Sequence, residues 1–109
     1  MDNNLMLVFS NPVAGQDDAY NTWYDDVHLG DVLQVPGVVG AKRFTLVEMP
    51  SPDGESAPVP AHRYLAVYQL DREPAEVMAE LMVRVESGAM LIDDSLAQDS
   101  IGLTAWRQR

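Results

Sequence analysis

The sequence predicts an α+β fold in which a four-stranded antiparallel sheet carries two helices. Three observations lead there. The 109 residues suffice for a single domain, spanning 1–109. Apolar runs of strand length alternate with helical periodicity in the order β-α-β-β-α-β, the ferredoxin-like arrangement. The strands are also apolar on both faces, so the sheet is expected to pair with a second sheet.

Leu5-Met6-Leu7-Val8-Phe9 is short, apolar and closed by Asn11-Pro12, which reads as a buried strand. Asp17 and Asp18 are expected to cap a helix in which, at about 100° per residue, Ala19, Tyr20, Trp23 and Val27 share one stripe. Gly30 is expected to end or bend that helix, with Asp31 capping a further turn through Val32 and Leu33 until Pro36-Gly37 stops it. Residues Val38 to Val47 are rich in β-branched side chains and read as the second strand. The Pro- and Ser-rich stretch from Met49 to Pro60 is a loop, and Arg63 to Leu70 the third strand. Asp71 is expected to cap the second helix, with Pro74 in its first turn. Val77, Met78, Leu81, Met82 and Val85 form its core stripe, Glu80 and Arg84 pair four apart, and Gly88 stops it. Ile101 to Arg107 is the last strand.

Both helices of this arrangement cover one sheet face, so the other should be polar if it meets water. It is not: Leu5, Leu7 and Phe9 oppose Met6 and Val8, while Leu65 and Val67 oppose Tyr64, Ala66 and Tyr68. A second sheet from an identical subunit is the simplest cover, which predicts a homodimer. A chain of this length buries only roughly 60–65% of its unfolded surface, so the extra burial also serves stability.

Composition narrows the function classes. There is no cysteine, which excludes disulfides, thiolate metal sites and a cysteine nucleophile. Seven basic and 17 acidic residues leave a net charge of −10, which argues against nucleic acid and against an anionic membrane surface. Hydrophobic residues make up 47% and are evenly spread, too many for a disordered chain, yet no run approaches a membrane span. Met1-Asp2-Asn3-Asn4 lacks the basic flank of a signal peptide, so a cytoplasmic location is expected. Asp93, Asp94 and Asp99 lack a histidine partner, and there is neither a phosphate-cradling glycine loop nor a nucleophile elbow. Neither a metal nor another cofactor is expected.

Histidine is the side chain with ready acid–base chemistry near neutral pH. His62 sits at a loop-to-strand junction, where a solvated turn residue is the plain reading. His28 lies at the flank of the first helix's apolar stripe, about one turn after Tyr24, where its ring can reach a cavity between helix and sheet. Asp25 and Asp31 stand three residues away on either side. Such a carboxylate, with the helix's C-terminal carbonyls, is expected to orient the imidazole and raise its pKa. The plain alternative is a histidine that caps the helix end. Arg43 alternates against Phe44 and is a candidate for holding an oxyanion, or else a surface ion pair.

The segment Trp23-Tyr24-Asp25-Asp26-Val27-His28-Leu29-Gly30-Asp31-Val32-Leu33, then Val35-Pro36-Gly37-Val38 and Lys42-Arg43-Phe44, resembles the dimeric α+β barrel proteins, in particular their EthD-like branch. Motif-grade similarity covers about residues 20–44, and the topology extends it over most of the chain. Gly30 departs from the pattern, standing where relatives commonly have proline after His-Leu and loosening the backbone behind His28. The resemblance implies a dimer with facing sheets and a pocket between first helix and sheet for an aromatic or other hydrophobic small molecule. It matches His28 to the recurring helix-end histidine, and Trp23, Tyr24 and Arg43 to the aromatic and cationic positions.

These readings together predict a cofactor-independent enzyme acting on a hydrophobic, aromatic or carbonyl-containing small molecule by His-mediated acid–base chemistry of cyclase, isomerase or lyase type. His28 is expected as base or acid with Asp31 or Asp25 orienting it, and Arg43 or Tyr64 as oxyanion stabiliser. Trp23, Tyr24, Tyr68 and Trp106 are the expected pocket walls. The alternatives are a non-catalytic small-molecule binding module and a cofactor-free monooxygenase relative.

Overall fold

The computed structural model describes residues 3–50, 52, 54 and 61–109. Four strands, β1 (Asn4–Ser10), β2 (Val38–Thr45), β3 (Tyr64–Leu70) and β4 (Gly102–Arg107), form one antiparallel sheet in the order β2-β3-β1-β4. The least polar sequences occupy its centre, where both faces need apolar side chains. The charges Lys42, Arg43 and Arg107 fall on the edge strands β2 and β4, where solvent is near.

The helices are α1 (Asp17–Trp23), a π-helical turn (Tyr24–His28) running without a break into α2 (Leu29–Leu33), and α3 (Pro74–Glu86). They cover one face of the sheet, against Met6, Ala66, Tyr68 and Leu70, and bury Tyr20, Tyr24, Val32 and Val77. The α+β architecture read from the sequence is therefore the observed one.

Several local expectations are corrected. Gly30 does not end the helix, which continues to Leu33; a side chain at this position would meet no obstacle. Neither acidic cap forms. Asp17 lies inside the first turn and accepts a hydrogen bond from Arg63 at 2.9 Å, and Asp71 pairs with Arg72 at 2.8 Å while Glu73 stands before Pro74. The second strand stops at Thr45 rather than Val47, and Val38 to Gly40 carries a bulge. The loop over Met49 to Pro60 lies in good part outside the described residues. Gly88 ends α3 at φ +81°, and Arg84 reaches Glu80 at 3.2 Å, both as expected.

Gly37 makes the turn into β2 at φ +101°, and its carbonyl accepts the Asp71 amide at 2.9 Å. A Cβ there would lie 2.7 Å from the Arg72 Cδ. Arg72 is exposed and can swing away, so the backbone strain dominates, and Gly37→Ala is expected to cost about 1–2 kcal/mol. Urea denaturation should show a lower midpoint at unchanged slope; an unshifted midpoint would mean that the turn relaxes.

The second sheet face carries the other half of each alternation. Trp106 pairs with Leu5, Thr104 with Leu7 and Phe44 with Leu65. Phe44 and Trp106 are 49% and 57% exposed, and Leu5, Leu7, Phe9, Leu65 and Val67 are only partly covered. Among the described residues no helix lies over this face.

Candidate functional site

The first helix gains its functional side chain through a change of period. At about 100° per residue, an uninterrupted α-helix that buries Tyr20 and Tyr24 would also turn Val27 and Asp31 inward, leaving Val32 about 120° away. The π-turn takes up one extra residue, so the inward positions become Tyr20, Tyr24, His28 and Val32. Val27, expected in the core stripe, is 48% exposed, whereas Val32 is 2% exposed. The shift keeps the Asp31 carboxylate out of the apolar core, where an unpaired charge is strongly destabilising. Such turns recur at functional sites because they re-aim one side chain without ending the helix.

The His28 ring is held by aromatic neighbours rather than by a carboxylate. Trp23 stacks on it at 4.6 Å with 26° between the planes, and the Tyr24 ring stands perpendicular at 4.9 Å. Its Nδ1 is buried without a hydrogen-bond partner. Burial lowers its pKa to about 4; Asp31 opposes the shift through space and the Arg43 charge adds to it. The expected rise in pKa is thus overturned. Desolvation outweighs the Asp31 charge, and the helix runs on to Leu33, so its terminal carbonyls lie beyond His28. At neutral pH the imidazole is uncharged.

His28 lines a partly open cavity of about 220 Å³ between the first helix, α3 and the helix side of the sheet. The walls are overwhelmingly apolar. Met6, Met78, Met82 and Met90 supply much of them, and flexible thioethers suit a wall that adapts to its contents. Met82, Ile101 and Leu103 both line the cavity and remain 41–45% exposed, which puts its mouth between α3 and the edge strand β4.

Of the residues singled out in the sequence, His28, Tyr24 and Tyr68 meet on the cavity wall, with Trp23 behind the imidazole. The others lie elsewhere. Arg43 donates to Asp25 at 2.7 Å and to Asn21 at 2.9 Å, its guanidinium 4.3 Å from the Tyr24 ring and 5.2 and 5.4 Å from those of Tyr20 and Tyr64. It pins the first helix to β2 and does not line the cavity. Asp25 is thereby committed to Arg43, and Asp31 reaches His28 only through its field. The Tyr64 hydroxyl lies 3.3 Å from both Asn21 and Asp17, away from the wall. Trp106 points from the opposite sheet face, where its indole donates to Thr104 at 2.7 Å. His62 bonds the Ser100 carbonyl at 2.7 Å and packs on Phe9. Among the described residues no three His, Asp or Glu side chains converge as a metal site requires.

Tyr68 was expected only as a wall; its hydroxyl is fully buried, with the Tyr24 side chain as its hydrogen-bonding neighbour. Tyr20, equally buried, shares a 2.6 Å hydrogen bond with Ser10. Burial raises the Tyr24 pKa to about 12 and pushes that of Tyr68 well above the ordinary phenol range, so both hydroxyls stay protonated.

Fold and site define a small α+β domain in which a four-stranded sheet and the helices on one of its faces form an apolar, histidine-bearing cavity. Solved structures share this fold. An EthD family protein from Bacillus halodurans matches at 17% identity over 100% of both chains with a TM-score of 0.58. A protein named as a candidate monooxygenase, from Shewanella loihica, matches at 12% identity over 100% of this chain and 97% of its own, with a TM-score of 0.60. HapK from Hahella chejuensis matches at 14% identity over 100% of this chain and 91% of its own, with a TM-score of 0.54. At these identities the likeness is one of fold. No protein-family model and no curated protein sequence matches the chain.

Proposed function

We propose that this protein is a cofactor-independent enzyme that moves a proton beside a carbonyl group of a hydrophobic small molecule, in a reaction of cyclase, isomerase or lyase type. The observation that carries the reading is His28, an uncharged imidazole on the wall of an apolar cavity with no carboxylate bonded to its ring. A neutral imidazole has one ring nitrogen that accepts a proton, and the apolar lining around His28 keeps it in that form. The net charge of −10 suits an uncharged substrate. The reading includes a homodimer with facing sheets, supported by the uncovered apolar face, and a cytoplasmic setting, in keeping with a cysteine-free chain.

Exchange of the methyl protons of acetophenone in D₂O, followed by NMR, tests the chemistry without knowledge of the natural substrate. The protein is expected to accelerate exchange, and His28→Gln to lose at least tenfold of that acceleration, since a general base contributes about 10²–10⁴-fold. Far-UV circular dichroism checks that the variant is folded. Equal rates would remove His28 from the chemistry. The low basicity of His28 favours a second reading, a binding or carrier module, in which acetophenone binds and no exchange occurs. The fold shared with the Shewanella protein favours a third, an oxygen-using enzyme, distinguished by turnover that requires air.

A further inference from the structure

We propose that the Met82 thioether, at the mouth of the cavity, is a modification site: a peroxide converts it to the sulfoxide, and the cavity then holds apolar ligands less tightly. This regulation of the proposed site rests on the cavity as the place where ligand binds, not on the chemistry assigned to His28.

Four of the chain's six methionines, Met6, Met78, Met82 and Met90, line this one cavity. Their exposure is graded. Met6 and Met90 are buried and Met78 is half-buried, whereas Met82 is 45% exposed while still lining the wall. A peroxide in solution therefore reaches the Met82 sulfur first among the four. Met82 belongs to α3, on the helix side of the sheet, so pairing through the uncovered face leaves it accessible. The chain has no cysteine, so no thiol competes for the oxidant. Met49 is also exposed, yet it lies outside the cavity.

The peroxide alone balances the oxidation. A sulfur lone pair attacks one peroxide oxygen, forming the S–O bond as the O–O bond breaks. The departing hydroxide takes up the proton of the transferred hydroxyl and leaves as water. Sulfur loses two electrons, and the peroxide gains them. A flexible apolar side chain becomes a polar one.

The position of Met82 gives that change its consequence. Its neighbours at the mouth are Ile101 and Leu103, and neither side chain can donate a hydrogen bond to a sulfoxide oxygen. With the oxygen towards the mouth, an entering apolar ligand strips it of water, and burying an unpaired polar group is unfavourable. With the oxygen towards solvent, the side chain leaves the wall and its contacts with the ligand are lost. Both arrangements weaken binding.

Hydrogen peroxide treatment, peptide mass spectrometry and calorimetric binding of toluene test the proposal. In the wild-type protein, Met82 is expected to become the sulfoxide before Met6, Met78 and Met90, and toluene affinity to fall about tenfold. Methionine sulfoxide reductase should restore it. Met82→Leu keeps an apolar residue of similar volume that peroxide does not oxidise. Its toluene affinity is expected to be equal before and after treatment, whatever its starting value. Met49 remains in this variant and controls for oxidation elsewhere. Oxidation of Met6 or Met90 ahead of Met82, equal affinity in treated and untreated wild type, or the same fall in Met82→Leu would each overturn the proposal. So would a loss of helical circular dichroism on treatment, since the effect would then be global. An untreated protein that binds no toluene overturns the cavity as a ligand site, and the regulation with it. Failure of the acid–base reading looks different: toluene binding still responds to peroxide, yet acetophenone exchange is not accelerated.

Discussion

Between pH 6.5 and pH 4 the protein is expected to lose about 3 kcal/mol of stability that a His28→Gln variant does not lose over the same range. The folded imidazole has its pKa lowered to about 4 by burial, whereas the unfolded chain takes up the proton near the ordinary value of 6.5. As pH falls through this window the unfolded state binds a proton that the folded state refuses. The contribution is complete above about 6.5, declines towards 4 and stays constant below. Asp31 and Arg43 act on His28 in opposite directions and only modulate the burial effect. Asp17 and Asp93, held below the usual carboxylate value of 3.8 by hydrogen bonds from Arg63 and Ser95, act at still lower pH. Urea titrations of both proteins at pH 7.5, 5.5 and 4.5 measure the difference. Parallel pH profiles would show that His28 is solvated after all, and the catalytic proposal would fall with its buried base.

Leu7→Glu is expected to convert a dimer into a folded monomer. Leu7 lies on the central strand β1, in register with Val67 on one side and Thr104 on the other, on the face that the helices leave open. In an isolated subunit a glutamate there extends into water at little cost. In a sheet-to-sheet dimer it becomes a buried, unpaired charge, and breaking a buried arrangement in this way costs about 3–5 kcal/mol, a hundredfold or more in dissociation constant. Light scattering at micromolar concentration reads the mass, and circular dichroism reads the fold. A wild-type protein already monomeric would defeat the proposal, and so would a Leu7→Glu dimer.

The topology was legible because each element announces its period. β1 and β3 alternate on both faces with few polar breaks, and α3 carries apolar residues three and four apart between Pro74 and Gly88. The caps were less legible. Asp17 and Asp71 are good cap residues by type, but each is one of several carboxylates near an arginine, and Arg63 and Arg72 took them. At the site, His28 stood out as a histidine flanking an apolar stripe. Its neighbours did not follow from spacing: Asp25 is within helical reach of His28, yet it pairs with Arg43 on β2 beneath the helix. Trp106 and Tyr68 look alike as aromatic strand residues, and only strand register sends them to opposite faces.

What the sequence alone determined is the α+β order, the doubled apolar character of the sheet and the candidacy of His28. These depend on periodicity and residue type, which are local properties. Tertiary structure decided the rest. It inserted the π-turn that carries His28 and Val32 inward while leaving Val27 outside, a one-residue change of phase that no α-periodic reading contains. It also set the direction of the His28 pKa. Sequence shows the charges nearby, but the balance between a carboxylate's field and desolvation depends on how much protein closes over the ring, and that is settled only when helix, sheet and α3 meet.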